Sequence, residues 1–199
     1  MTFANHNCWA TIAGDVLVVD SYPLPPSHRE LGPRDITEIC VGWFPPTVRL
    51  TTGEFAAVDA RQARELAGWA ERHGVAFVRR VDVWSLLLEP FLDTEFSATD
   101  QARTLQVLHA NGMDANQVEE LRREVERPML ALTALTWEWC HYGLFDVLAA
   151  MQVPLLLHPE RYRMFVERAM QIADLGAVQA ADSAAFVASF PPPTPDGPP

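Results

Sequence analysis

Apolar and polar positions alternate through the first 80 residues, and glycine and proline divide them into short extended segments and one helix. Residues 7–13 and 16–22 suit strands, and Gly14-Asp15 between them has the length and composition of a two-residue hairpin loop. Residues 23–34 hold four prolines and a glycine, which predicts a surface loop. Residues 36–44 and 47–52, rich in β-branched and aromatic side chains, predict two more strands across Pro45-Pro46, with a turn at Thr52-Gly53. Asp59 is placed to cap a helix whose apolar positions Ala63, Leu66, Ala67 and Ala70 recur at i, i+3, i+4 and i+7, with Gly74 just past its end. Residues 75–81 read as a strand, giving the order β-β-β-β-α-β.

From residue 82 the spacing becomes helical. Residues 84–92 predict a short apolar helix interrupted by Pro90. Thr99 or Asp100 is the expected cap of the next helix, which carries Ala102, Leu105 and Leu108 on one face and ends at Asn111-Gly112. Asp114 and Gln117 have capping-box spacing and open a charged helix with Val118, Leu121 and Val125 inward. Pro128 disfavours helical geometry at Arg127, so a boundary is expected there, with a new helix from Met129 to about His141 and an extension over 144–151. Residues 155–157 are too few to assign. Pro159 suits the first turn of a last long helix, with Phe165, Ala169 and Ile172 inward and an end at Gly176, and residues 183–190 add one turn or two. Residues 191–199 hold six prolines and predict an extended tail. The expected fold is α+β: a small, mostly antiparallel sheet with one helix in residues 1–81, followed by a helical C-terminal half in 82–190 that merges with it into one domain.

Composition narrows the function classes. With 49% apolar and 21% charged residues over 199 positions, the chain can bury a core. No uncharged run reaches the ~18 residues of a membrane-spanning helix. The first 14 residues lack a basic n-region, and Cys8, Cys40 and Cys140 are odd in number and far apart, so cytoplasm is the expected compartment. Fifteen basic residues against 26 acidic ones leave a net charge of -11, which argues against a nucleic-acid partner and for a basic one. All fifteen are Arg. Without Lys there is no Schiff-base lysine, pyridoxal phosphate anchor or Walker-type phosphate lysine. No G-x-G-x-x-G, G-x-S-x-G, H-E-x-x-H, C-x-x-C or EF-hand loop occurs, and no cofactor is expected.

The densest cluster of chemistry is 137–142, Trp-Glu-Trp-Cys-His-Tyr. On a helix, Leu132, Leu135, Trp139 and Tyr142 share a face and Glu138 lies at its margin, where neighbouring indoles would raise the carboxyl pKa towards that of a general acid or base. The same Glu138 is equally suited to a structural hydrogen bond at a packing seam. Glu138 and His141 have the E-x-x-H spacing of di-iron bundles, but the second copy that such a site needs is missing. Glu89, Asp93 and Glu95 could bind a hard cation or help in acid–base work, or stand as solvated charges ahead of a helix cap. Cys8-Trp9 resembles the Cys-Trp step of papain-like cysteine peptidases, whose glycines and second cysteine are missing here; the base would come from His73, His141 or His158. His158 is itself a plausible helix cap. Arg122-Arg123 among Glu119, Glu120, Glu124 and Glu126 predicts an exposed face of i,i+4 ion pairs, and the proline tail could act as a spacer or fit an SH3- or WW-like groove. The balance favours a non-catalytic, acidic protein acting by protein–protein binding, as an adaptor, inhibitor or immunity-type partner. The alternative is an acid/base or metal-assisted hydrolase using Glu138 and His141, helped by Asp93 or Glu95.

Overall fold

The computed structural model describes residues 9–21, 27–92, 97–136, 141–154 and 157–190. Its fold is α+β, with an eight-stranded mixed sheet and seven helices among those residues. They divide into two compact units, one drawn from 6–80 and 178–199 and the other from 81–177.

The first unit contains the whole sheet. Its strands are β1 (Trp9–Ala13), β2 (Val16–Ser21), β3 (Ser27–Leu31), β4 (Ile36–Val41), β5 (Thr47–Leu50), β6 (Phe55–Val58), β7 (Ala76–Arg80) and β8 (Val178–Ala181). They are ordered β3-β2-β1-β6-β5-β4-β7-β8. The pairs β1–β6 and β4–β7 are parallel and the other five antiparallel, in keeping with the expected pairing. β1 and β2 form the hairpin across Gly14-Asp15, with Ala13 opposite Val16 and Gly14 at φ 66°. Along β1, Ala10 and Ile12 are buried while Thr11 and Ala13 face out, the period of a strand with one covered side.

Three strands depart from the sequence reading. β3 runs through the stretch expected to be a loop; its residues are polar because it lies at the edge of the sheet. β6, Phe-Ala-Ala-Val, is buried at every position, so it shows no alternation. β8 returns from the end of the chain to pair with β7, although Val-Gln-Ala-Ala has weak strand propensity. Helix α1 (Ala63–His73) follows a short 3-10 turn capped by Asp59 and ends at Gly74, φ 68°, as its pattern predicts. It packs against α7 (Ser183–Ala188), whose Phe186 is fully buried 5.6 Å from the Phe77 ring. Leu17, Val19, Ile39, Val48, Phe55 and Trp69 make up much of the remaining core, each 0% exposed.

The second unit is helical: α2 (Val83–Leu88), α3 (Ala98–Ala110), α4 (Ala115–Thr136), α5 (Leu144–Gln152) and α6 (Pro159–Asp174). α2 is its hub, touching each of the other four. Trp84 of α2 is 1% exposed, and its indole N–H donates to the Ala169 carbonyl at 2.9 Å. The cap of α3 is Ser97, which accepts from Asp100 N–H, in place of the expected Thr99 or Asp100. Asp114 and Gln117 form the reciprocal capping box at 2.9 Å in both directions. α4 then passes through Pro128 without a break, contrary to the expected boundary. Val118, Leu121, Val125 and Met129 are buried in one stripe across the proline, so burial outweighs the missing backbone bond. α4 is described as far as Thr136; His141, its expected end, is not helical, and Tyr142 donates to Thr133 Oγ1 at 2.8 Å. α5 is a separate helix with its own cap, in which Gly143 N–H donates to Asp146 at 2.8 Å. No helix among the described residues is long and apolar enough to cross a membrane.

Candidate functional site

Of the residues expected to carry chemistry, Glu138, Asp93, Glu95, Cys8 and the proline tail lie outside the described residues. His141 is exposed and outside a helix, two residues before the Gly143 cap of α5. His158 occupies the cap position of α6 but makes no side-chain cap bond. Glu89 accepts a hydrogen bond from the Thr104 hydroxyl, tying the end of α2 to α3. His73 is 4.9 Å from the Trp69 ring and 3.4 Å from Asp15. Among the described residues, no three His, Cys, Asp or Glu side chains cluster closely enough to hold a metal ion.

The structure reveals other ionisable groups placed under constraint. In the helical unit, Asp82 caps α2 by accepting from Ser85 N–H at 2.9 Å. Burial pushes its carboxyl up to about 6, against the Ser85 and Trp84 backbone bonds, and the Asp146 carboxylate adds to the rise. A group titrating there can take or release a proton near neutral pH, yet its oxygen is already engaged in holding the helix end. Arg122 departs from the exposed face expected of the Arg pair. Its guanidinium donates to the Leu87 and Leu86 carbonyls at 3.0 and 3.3 Å, and burial lowers its pKa. It thereby closes the C-terminal end of α2 from α4. Arg123 keeps the expected i,i+4 pair with Glu119 at 2.6 Å.

In the sheet unit, Glu38 on β4 and Arg80 on β7 form an ion pair at 2.7 Å with side chains only 12% and 6% exposed. Arg80 also lies 5.7 Å from the Phe55 ring, and its carbonyl accepts from Trp43 Nε1 at 2.9 Å. The Arg79-Arg80 dipeptide is the sequence signal for this pair, but its acidic partner lies 42 positions away on a neighbouring strand. Such a network ties β4 to the end of β7.

The surface divides unevenly. Residues 81–177 contain 15 acidic side chains and 7 Arg, a net -8, while 6–80 with 178–199 contain 11 and 8, a net -3. The helical unit also holds five of the seven large apolar side chains left exposed among the described residues: Leu130, Val153, Leu157, Met164 and Leu175. Val153 and Leu157 lie on the α5–α6 connection and Met164 in the first two turns of α6, exposed by 78%, 86% and 63%.

The chain matches no family model, no curated protein and no solved structure. The reading of its function therefore stands on the residues themselves.

Proposed function

We propose that the chain is a non-catalytic protein that works by binding another protein, with the helical unit as its contact surface and a basic, partly apolar segment as its ligand. The supporting observation is the coincidence, on one unit, of most of the excess negative charge with exposed Val153, Leu157 and Met164. Carboxylates attract a cationic partner from a distance and set the salt dependence of the encounter. Apolar side chains at the contact then release water and hold the complex. An adaptor, inhibitor or immunity-type role needs no more chemistry than this. The cysteine pattern supports a cytoplasmic setting, and the charge is the wrong sign for nucleic acid.

The test is a calorimetric titration of the full chain with a synthetic amphipathic peptide bearing Arg on one face and Leu on the other, beside the same peptide with Glu for Arg. Saturable binding of the cationic peptide is expected, weakened by salt and by Leu157→Asp with Met164→Asp. Equal binding of both peptides, or no effect of the substitutions, would refute the reading. A divalent-metal thermal shift abolished by Glu138→Ala would instead favour the hydrolase alternative.

A further inference from the structure

The two edges of the sheet differ in a way that bears on self-association. β3, at one edge, is Ser-His-Arg-Glu-Leu, with His28 2.9 Å from Asp20 and Arg29 2.8 Å from Glu54. An antiparallel copy of β3 laid against it about its centre would set Arg29 opposite Arg29, the kind of charge placement that blocks edge pairing. β8, at the other edge, is Val-Gln-Ala-Ala and carries no charge. Val178, Gln179 and Ala180 are all exposed, so neither face of this strand is covered. Its backbone is bonded to β7 from Phe77–Ala181 to Arg80–Val178, and residues 178–181 make no further backbone bond among the described residues. One side of the strand therefore presents unpaired N–H and C=O groups.

We infer that the β8 edge is a self-association surface, at which a second copy of the chain adds its own β8 in antiparallel register. The occupant follows from charge and symmetry. A two-fold axis through Gln179 sets Gln179 opposite the copy's Gln179 and Val178 opposite its Ala180, with no like charges facing. Two chains of net charge -11 repel each other. That repulsion is weakest for contact through the unit of net -3, at a strand without charge. A four-residue strand gives a small contact, so the dimer is weak and forms only at high protein concentration.

Sedimentation velocity of the full chain over a rising concentration series tests this, using the wild type and two double variants, Gln179→Lys with Ala180→Lys and Gln179→Glu with Ala180→Glu. Each variant faces its own copy with like charges, while a mixture of the two faces opposite charges. The expected result is a wild-type mass that rises from 22.2 kDa towards twice that value. Each variant alone should need about tenfold or more higher concentration to do the same, and the equimolar mixture should regain association. A wild type that stays monomeric throughout would overturn the inference and leave the edge to a different strand. Dimers unaffected by either charge pair, or a mixture that does not regain association, would overturn it as well.

Discussion

The sheet unit confines its strongest charge interaction to the interior, where Glu38 and Arg80 pair beside Phe55. The helical unit encloses Asp82, which forms no ion pair among the described residues, and carries most of the net negative charge. In the first, ionic groups join strands that are far apart in sequence. In the second, polar and ionic side chains close helix ends: Asp82 and Arg122 at the two ends of α2, Ser97 at α3, Asp114 and Gln117 at α4, and Asp146 at α5. Capping occurs in the sheet unit too, by Asp59 ahead of α1 and Asp182 ahead of α7, so the difference lies in the enclosed Glu38–Arg80 pair that joins two strands.

The largest effect expected comes from breaking the sheet unit's pair. Glu38→Ala leaves the Arg80 charge enclosed without its carboxylate and should cost about 3–5 kcal/mol in urea unfolding. A loss below about 1 kcal/mol would show that the pair is solvated like a surface one.

The two units should also respond to pH in opposite senses. Asp82 has a folded value of about 6 against an ordinary 3.8, so its stabilising proton is fully held below 3.8 and the benefit is lost as pH rises through about 6. Asp59, in the sheet unit, is held below its ordinary value mainly by the side-chain bond from Arg61, with burial opposing. Its contribution is complete above 3.8 and lost as pH falls through the depressed folded value. Asp82→Asn keeps a capping side chain and should raise stability above neutral pH by up to about 3 kcal/mol, with the gain vanishing towards about pH 4. A gain that does not change with pH would contradict the assignment.

Pro128→Ala tests the continuity of α4 and should stabilise the chain by about 1–3 kcal/mol, because a helix interior gains a backbone bond and loses a clash. Destabilisation would mean that the proline marks a true boundary. The smallest expected effect is a contrast between two buried tryptophans. Trp84→Phe removes the bond to the Ala169 carbonyl, whereas Trp69 Nε1 has no partner among the described residues, so Trp84→Phe should cost about 1 kcal/mol more than Trp69→Phe. Equal losses would assign both residues to packing alone.

Much of the fold was legible wherever one local rule dominated. The Gly14-Asp15 hairpin, the α1 stripe ending at Gly74 and the Asp114–Gln117 box all depend on neighbours within a few residues. β3, β6 and β8 were not legible, because an edge strand needs no apolar face, a doubly buried one shows no alternation, and β8 depends on β7 nearly 100 positions earlier. Pro128 misled for the same reason, since the buried stripe that holds α4 together spans both sides of it. At the candidate site, the helical spacing of Glu138 and His141 pointed to shared chemistry; His141 lies outside a helix, and Glu138 is outside the described residues. Asp82 was not singled out in the sequence; its raised pKa comes from burial and from Asp146, which only the assembled unit brings near.

Hydrogen exchange of the full chain, alone and saturated with the Arg/Leu amphipathic peptide, tests the central claim most directly. The account predicts new protection in the α5–α6 region, from about residue 144 to 174, with the sheet strands unchanged. Protection confined to the sheet unit, or none at saturating peptide, would contradict it.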